Sequence, residues 1–341
     1  MSIYLNRIKG FDKIKKRKAL GFVIATILMV LLFFHFLDIG EIASTILSAN
    51  PLLYGLAVLC IVISIVSWGY RWKVFINGQG YSVKTRDILG SLMVGLAINN
   101  ITPIAKLGGE PVRAYLLKKN NGVSYSDGLA SVVADGSIFL VGTVFYVLLS
   151  IIVLPLAISP PSWLLGAIIA FACVMGLFLL ALSGVYRGSD YIVRFIEFIS
   201  SKIKYLRERK DKILDKYLEF RKSFRNCLKN KKSLAKTLSA LGLAKVLNIA
   251  AYFFIFMSLG HPVSILHIFI VTGISQLVLA LPATPGSLGV YEGAFVSLYA
   301  LLGVNPAIAG SAVLLQRLIW FWSTTAVGGY LGTYYGVSMF D

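Results

Sequence analysis

Charge is what this sequence has least of. Asp, Glu, Lys and Arg make up 14% of its 341 residues, well below the share in an ordinary globular chain. Acidic residues are scarcer still, 15 against 33 basic ones. The three cysteines, Cys60, Cys173 and Cys227, have no metal-site spacing and imply no disulfide framework. The three histidines, His35, His261 and His267, share no ligand spacing either. No Rossmann, Walker or zinc-protease motif is present. The alternating short segments that build a transmembrane barrel are also missing. These absences exclude a soluble globular protein, a secreted disulfide scaffold and a barrel. No cofactor and no metal are expected, and no enzyme motif stands out.

What the sequence has instead is apolar length. Apolar residues make up 57% of the chain, the mean hydropathy is +0.79, and runs long enough to cross hydrocarbon recur from end to end. The fold class expected is an all-α polytopic membrane protein.

The net charge of +18 would suggest nucleic acid in a soluble protein. Here the basic residues are segregated into residues 1–18, 71–119 and 187–236, leaving only Lys245 and Arg317 elsewhere. That is the bias of cytoplasmic loops facing an anionic leaflet. No nucleic-acid partner is expected. A multi-pass protein of the plasma membrane is, with both termini cytoplasmic.

The pattern divides the chain into five stretches. Residues 1–18 form a basic cytoplasmic N-terminus. Residues 19–85 hold two spans, roughly 19–37 and 51–70, the second ending at Arg71-Trp72-Lys73 as a cytoplasmic interface anchor. The loop between them carries Asp38 and Glu41 and lies outside. Residues 86–157 hold a broken helical stretch and then a span. Residues 158–263 hold two middle spans around the basic segment 187–236, whose apolar stripe allows either a solvated, lipid-attracted linker or a packed helical elbow. Residues 264–341 hold a second broken stretch and the last span.

The two broken stretches match each other. One reads TPIAKLGGE from Thr102 to Glu110, the other TPGSLGVYE from Thr284 to Glu292. Each leads to a Gly-Val pair and then a long helix with a polar residue inside it: Asp135 in the first, Gln316 and Arg317 in the second. In the first, neither piece comfortably spans the hydrocarbon; the second has a helix over about 264–281, a break, and a helix from Glu292 to Leu302. The first has basic flanks and the second has none. The expectation is therefore about six full spans plus two re-entrant helical hairpins, entering from opposite sides as an inverted repeat. Interrupted helices at membrane depth need protein or a polar cavity around them.

The candidate substrate-binding residues follow from that geometry. Asn99, Asn100, Thr102 and Pro103 mark the first break, and Gly108 and Gly109 allow close backbone approach before Glu110 and Arg113. Thr284, Pro285, Gly286 and Gly289 do the same before Glu292. Restarting helices offer free N–H groups to an anionic head group. Glu110 and Glu292 either cap those N–H groups or belong to the site. Arg317, deep in the last span, binds a lipid phosphate or pairs internally with Asp135, Glu110 or Glu292. Asp135 and Gln316 complete the set, Asp135 chiefly as an ionic partner. Gly328, Gly332 and Gly336 have the small-xxx-small spacing of close helix packing.

The stretches NNITPIAKLGGEPVRAYLL (99–117) and LPATPGSLGVYEGAFVSLYALLGV (281–304), with LLQRLIWFW (314–322), resemble the flippase-like family of the lysylphosphatidylglycerol synthase transmembrane region. That family includes the membrane domain of the bacterial multiple peptide resistance factor. The resemblance runs over roughly 15–336. It implies transbilayer movement of a phospholipid or lipid-linked head group. The partners it implies are membrane lipids: anionic or lysyl-modified phospholipids, or polyprenyl-linked lipids. A homo-oligomer is left open. The synthases add a soluble aminoacyl-transferase domain, which is not expected here, so lysyl transfer is not either. The family often carries an Arg where this chain has Ala134-Asp135-Gly136, a departure that throws the anion-binding expectation onto Arg317. Rival readings are a non-lipid secondary transporter, and a membrane partner of a lipid-modifying or glycosyl-transferring enzyme.

Overall fold

The computed structural model describes residues 39–102, 108–158, 162–202, 210–279 and 284–336. Every regular element among them is helical. They are α1 (Ile39–Leu47), α2 (Pro51–Gly78), α3 (Thr85–Ile101), α4 (Gly109–Asn121), α5 (Tyr125–Val153), α6 (Ser162–Arg187), α7 (Tyr191–Lys202), α8 (Lys210–Lys229), α9 (Lys231–Ser258), α10 (Ile265–Leu279), α11 (Val290–Leu301), α12 (Pro306–Arg317) and α13 (Ser323–Tyr334). A π turn over Leu318–Trp322 joins the last two. Three helices among the described residues are long and apolar enough to cross a membrane: α2, α5 with its short extension to Leu156, and α9. The expected span at 19–37 lies outside the described residues.

Some boundaries differ from the sequence reading. The stretch with Glu41, expected as a loop, is helical from Ile39. Helix α2 does not stop at residue 70 but runs on to Gly78. Arg71 and Trp72 are therefore not an interface anchor. They lie on the inward face, 2% and 0% exposed. Helix α9 starts at Lys231 rather than 237. Lys245 is in its middle, over the rings of Phe139 and Tyr146 at 5.0 Å each.

Helices α2 and α9 form the central pair. Each has 28 residues and opens on an asparagine cap: Asn50 accepts from Leu52 and Leu53 N–H, Asn230 from Lys232 and Ser233 N–H. They run antiparallel. Asn50 N–H donates to Ser258 O at one end, and a Cβ on Gly78 would lie 3.8 Å from Ser233 Oγ at the other. Ser67 Oγ donates to Ala240 O in between.

The matches continue along the chain at near-constant spacing. Left-handed glycines follow both helices at Gly80 and Gly260, and recur at Gly122 and Gly303. Ser124 and Asn305 then cap α5 and α12. Packing is reciprocal. Helix α3 lies along α13, and α10 lies along α5. Asn100 reaches Thr325 and Gly90 faces Tyr335, so α3 and α13 are antiparallel. Tyr146 bonds Thr272 while Ser150 bonds Phe269 O, so α5 and α10 are antiparallel too. Small residues allow the close approaches. A Cβ on Gly328 would run into the Met93 carbonyl, and one on Gly109 into the backbone of Gly95.

The charged segregation has a spatial counterpart. The end of α2, the starts of α5 and α9, and α8 gather at one end of the bundle. There Asp127 accepts from Tyr81 OH (2.7 Å) and Ser223 Oγ (2.5 Å), and Gln79 bonds both the Asp127 carbonyl and Cys227 Sγ. The α8 part of the basic segment is thus packed on the bundle: Phe224 and Cys227 are buried against Phe75, Ala130 and Ala134. The opposite end brings together Asn50, Ser258, α1 and the start of α12, all on stretches without Lys or Arg.

Candidate functional site

Each half of the bundle holds a buried ionic cluster beside its interrupted helix. The second half is the simpler. Its break runs through Thr284, whose Oγ1 donates to Leu288 O, and a short 3-10 turn over Pro285–Ser287. Gly286, Ser287 and Gly289 all have positive φ, +59°, +56° and +79°. Glycine adopts that region freely, whereas Ser287 does so at a cost of about 1 kcal/mol. The turn aims two carbonyls inward. Arg317 Nη1 donates to Gly286 O (3.1 Å) and Nη2 to Ser287 O (3.3 Å). Arg317 Nε sits 2.5 Å from Glu292 Oε1, and the guanidinium lies over the Tyr291 ring at 4.6 Å. The other Glu292 oxygen accepts from Gly289 N–H at 2.7 Å. Glu292 is thus both helix cap and ion-pair partner, one oxygen for each. Of the alternatives open for Arg317, the geometry is the internal pair with Glu292.

The first half is built differently. Asn99, at the end of α3, accepts from Gly109 N–H at 2.7 Å and so caps the restarted helix α4. Its amide donates to Glu110 Oε1 at 3.3 Å. Thr102 Oγ1 donates back to Ile98 O, and a Cβ on Gly108 would press on that hydroxyl. Pro103 lies outside the described residues. One turn into α4, Arg113 is buried and stacks on the Trp72 ring at 4.1 Å. Its Nη2 is 3.7 Å from Asp135 Oδ2. Arg71 pairs with the other Asp135 oxygen, and Trp68 Nε1 donates to Oδ2 at 2.8 Å. Asp135 is 1% exposed. It is an ionic partner, as expected, but to Arg71 and Arg113 rather than to Arg317.

The two halves touch. Asn100 Nδ2 donates to Phe321 O in the π turn and to Thr324 Oγ1 and Thr325 Oγ1 at the start of α13. A Cβ on Gly286 would lie 3.1 Å from Asn100 O, so the second break abuts the end of α3 at the first. Trp68 stacks between Phe139 (6.2 Å) and Trp320 (6.3 Å), bridging the Asp135 cluster to the π turn that follows Arg317. Gln316, the counterpart of Asp135, is buried with its Oε1 unpartnered.

Sequence reasoning missed Arg71 and Trp68. The signal was available: the spacing that equates Asn50 with Asn230 extends α2 well past residue 70. Among the described residues, no group of three or more His, Cys, Asp or Glu side chains converges to hold a metal ion.

Comparison with known proteins fits this architecture. The family described as the lysylphosphatidylglycerol synthase transmembrane region matches residues 18–328. A UPF0104 membrane protein of Methanothermobacter thermautotrophicus is 31% identical, covering 88% of this chain and 90% of that one. A second, from Pyrococcus horikoshii, is 28% identical over 91% of this chain and 95% of its own length. The glycosyltransferase AglD of Haloferax volcanii is 25% identical over 90% of this chain but only 52% of its own. The chain belongs to the lysylphosphatidylglycerol synthase transmembrane region family, and it is a multi-pass helical membrane protein.

Proposed function

We propose that this member of the lysylphosphatidylglycerol synthase transmembrane region family moves the head group of a phospholipid or lipid-linked molecule from one leaflet to the other. The head group passes between the two interrupted units while its tails stay in the bilayer. The protein is a transporter rather than an enzyme, and its partners are membrane lipids. The contact of Gly286 with Asn100 carries this reading, because it brings two helix interruptions to one place in the bundle. Interrupted backbone inside a membrane needs a polar surround, and such pairs mark binding sites in transporters. The antiparallel course of matching helices supports an inverted repeat, with α3–α4 and α10–α11 as hairpins entering from opposite faces. The basic end is the cytoplasmic one by the positive-inside rule.

A second reading draws on the alignment with AglD: the chain serves as membrane partner of a glycosyl-transferring enzyme.

The test is translocation of head-group-labelled lipids in proteoliposomes of the purified chain, with anionic, zwitterionic and lysyl lipids. Movement by the wild type, lost in Arg317→Ala and Glu292→Gln, is expected. No movement of any lipid, with or without a proton gradient, overturns the reading and favours the partner role.

A further inference from the structure

The two ionic clusters are not equally satisfied. Arg317 has a carboxylate and two carbonyls, and Nε is its one buried nitrogen without a hydrogen-bonded acceptor. Arg71 and Arg113 share one carboxylate, Asp135, which also accepts from Trp68. Arg71 Nη2 and Arg113 Nε and Nη2 are buried with no hydrogen-bond acceptor, and the two side chains are 3% and 4% exposed. Donors of a buried guanidinium are costly to leave unmade. The Glu110 carboxylate, one turn before Arg113, also acts on that guanidinium, so what the cluster lacks is hydrogen-bond acceptors rather than negative charge.

The fold does not require this cluster. By the spacing that pairs the two halves, Arg71 corresponds to Ala251, Arg113 to Phe295 and Asp135 to Gln316. Ala251 and Phe295 are 1% and 0% exposed and belong to the main apolar core. The second half therefore closes the same place with ordinary packing. Replacing a buried ion cluster by apolar groups is often neutral or stabilising, so retention of this one needs another reason.

We propose that Arg71 and Arg113 form a binding site for a single phosphate-type oxyanion, either the phosphodiester of a lipid head group or free phosphate. The unpartnered donors suit such an oxyanion, because guanidinium forks match its oxygens. Asp135 holds Arg71 and lies beside Arg113, and Trp72 supports the Arg113 plane from behind. The way in is the Trp68–Phe139 edge: Phe139 is 38% exposed, and Arg71 lies over both rings at 5.9 and 5.7 Å. A lipid approaching there keeps its tails outside the bundle. The lipid source rests on the translocation reading; the anion site itself does not.

The experiment is equilibrium binding to the full chain in detergent, read by tryptophan fluorescence and thermal shift. The probes are dihexanoyl-phosphatidylglycerol, inorganic phosphate, and dihexanoylglycerol, which has tails but no phosphate. Wild type is expected to bind the phospholipid and not dihexanoylglycerol. Binding of inorganic phosphate as tightly as the phospholipid supports the site with a free anion as its source. The triple variant Arg71→Ala, Arg113→Phe, Asp135→Gln copies the packing of the second half and is expected to fold and to bind about tenfold more weakly or not at all. Arg113→Lys keeps the charge but loses the fork, and is expected to weaken binding several-fold even if the triple variant fails to fold. Wild-type affinity in either folded variant, or no binding of any phosphate by the wild type, overturns the site. Translocation of labelled lipid is measured separately. Binding without translocation sinks the transport reading and leaves the site. Translocation with binding unchanged in the variants does the reverse.

Discussion

At the scale of single residues, Glu292 has the most demanding position. One of its oxygens caps a helix that restarts beside a strained turn, and the other faces Arg317. Removing one member of a buried pair strands the other charge, at about 3–5 kcal/mol. Arg317→Met or Glu292→Gln alone should each destabilise the protein by that order. Both together should cost clearly less than the sum, since no charge is then left unpaired. Thermal unfolding of the single and double variants in detergent tests this, and simple additivity would show that the two side chains do not act as a pair. Asp135 and Arg317 were legible as candidates because charges are rare in apolar runs. The sequence offered Glu292 as one of several partners for Arg317 and did not point to Arg71 beside Asp135, because it gives spacing along one helix and not the neighbour across it.

At the scale of elements, the basic elbow is the part the sequence described least well. Its charge pattern fits a solvated linker as well as a packed helix. Packing decides for the latter, through Phe224 and Cys227 on one face of α8. Burial pushes the Cys227 thiol up to about 12 from an ordinary value of 9.0. The folded state thus holds the thiol proton more tightly than an undocked helix does. The stabilisation from docking is fully present below pH 9.0 and is lost as pH climbs toward 12. Alkylation of Cys227 by iodoacetamide should accordingly be slow in the native protein at pH 8. It should speed up at least about tenfold in Ser223→Ala/Gln79→Ala, which removes the hydrogen bonds to Asp127 and Cys227. Equal rates in the two proteins would mean that α8 is not held in this way.

At the scale of the whole molecule, the segregation of charge along the chain becomes a segregation in space. The end of α2, the starts of α5 and α9, and α8 meet at a basic end, while α1, Asn50 and Ser258 meet at the other. A sided-labelling experiment follows. In a chain with its three cysteines replaced, Ser48→Cys should react with a membrane-impermeant maleimide added outside cells, and Lys229→Cys only after permeabilisation. Both positions are exposed. Labelling of Lys229→Cys from outside, or of both from one side, would reverse or refute the orientation.

The sequence by itself determined the class of this protein. Continuous apolar runs without the alternation of a barrel require helices in a membrane, because a helix closes its backbone hydrogen bonds within its own segment, and the Thr-Pro to Glu motifs marked where those helices break. The residues of those motifs also carried the resemblance to the family. The tertiary structure alone decided which charges neutralise which. Arg71, read from its neighbours Trp72 and Lys73 as a surface anchor, is buried because α2 continues past it and turns it toward Asp135 on α5. Arg317, which carried the anion-binding expectation, is occupied by Glu292 and two carbonyls. Most of the unmet guanidinium donors, those of Arg71 and Arg113, are in the other half. Pairing is a matter of distances between helices, set by glycine contacts and aromatic packing between segments far apart in the chain, and no periodicity along one helix encodes it.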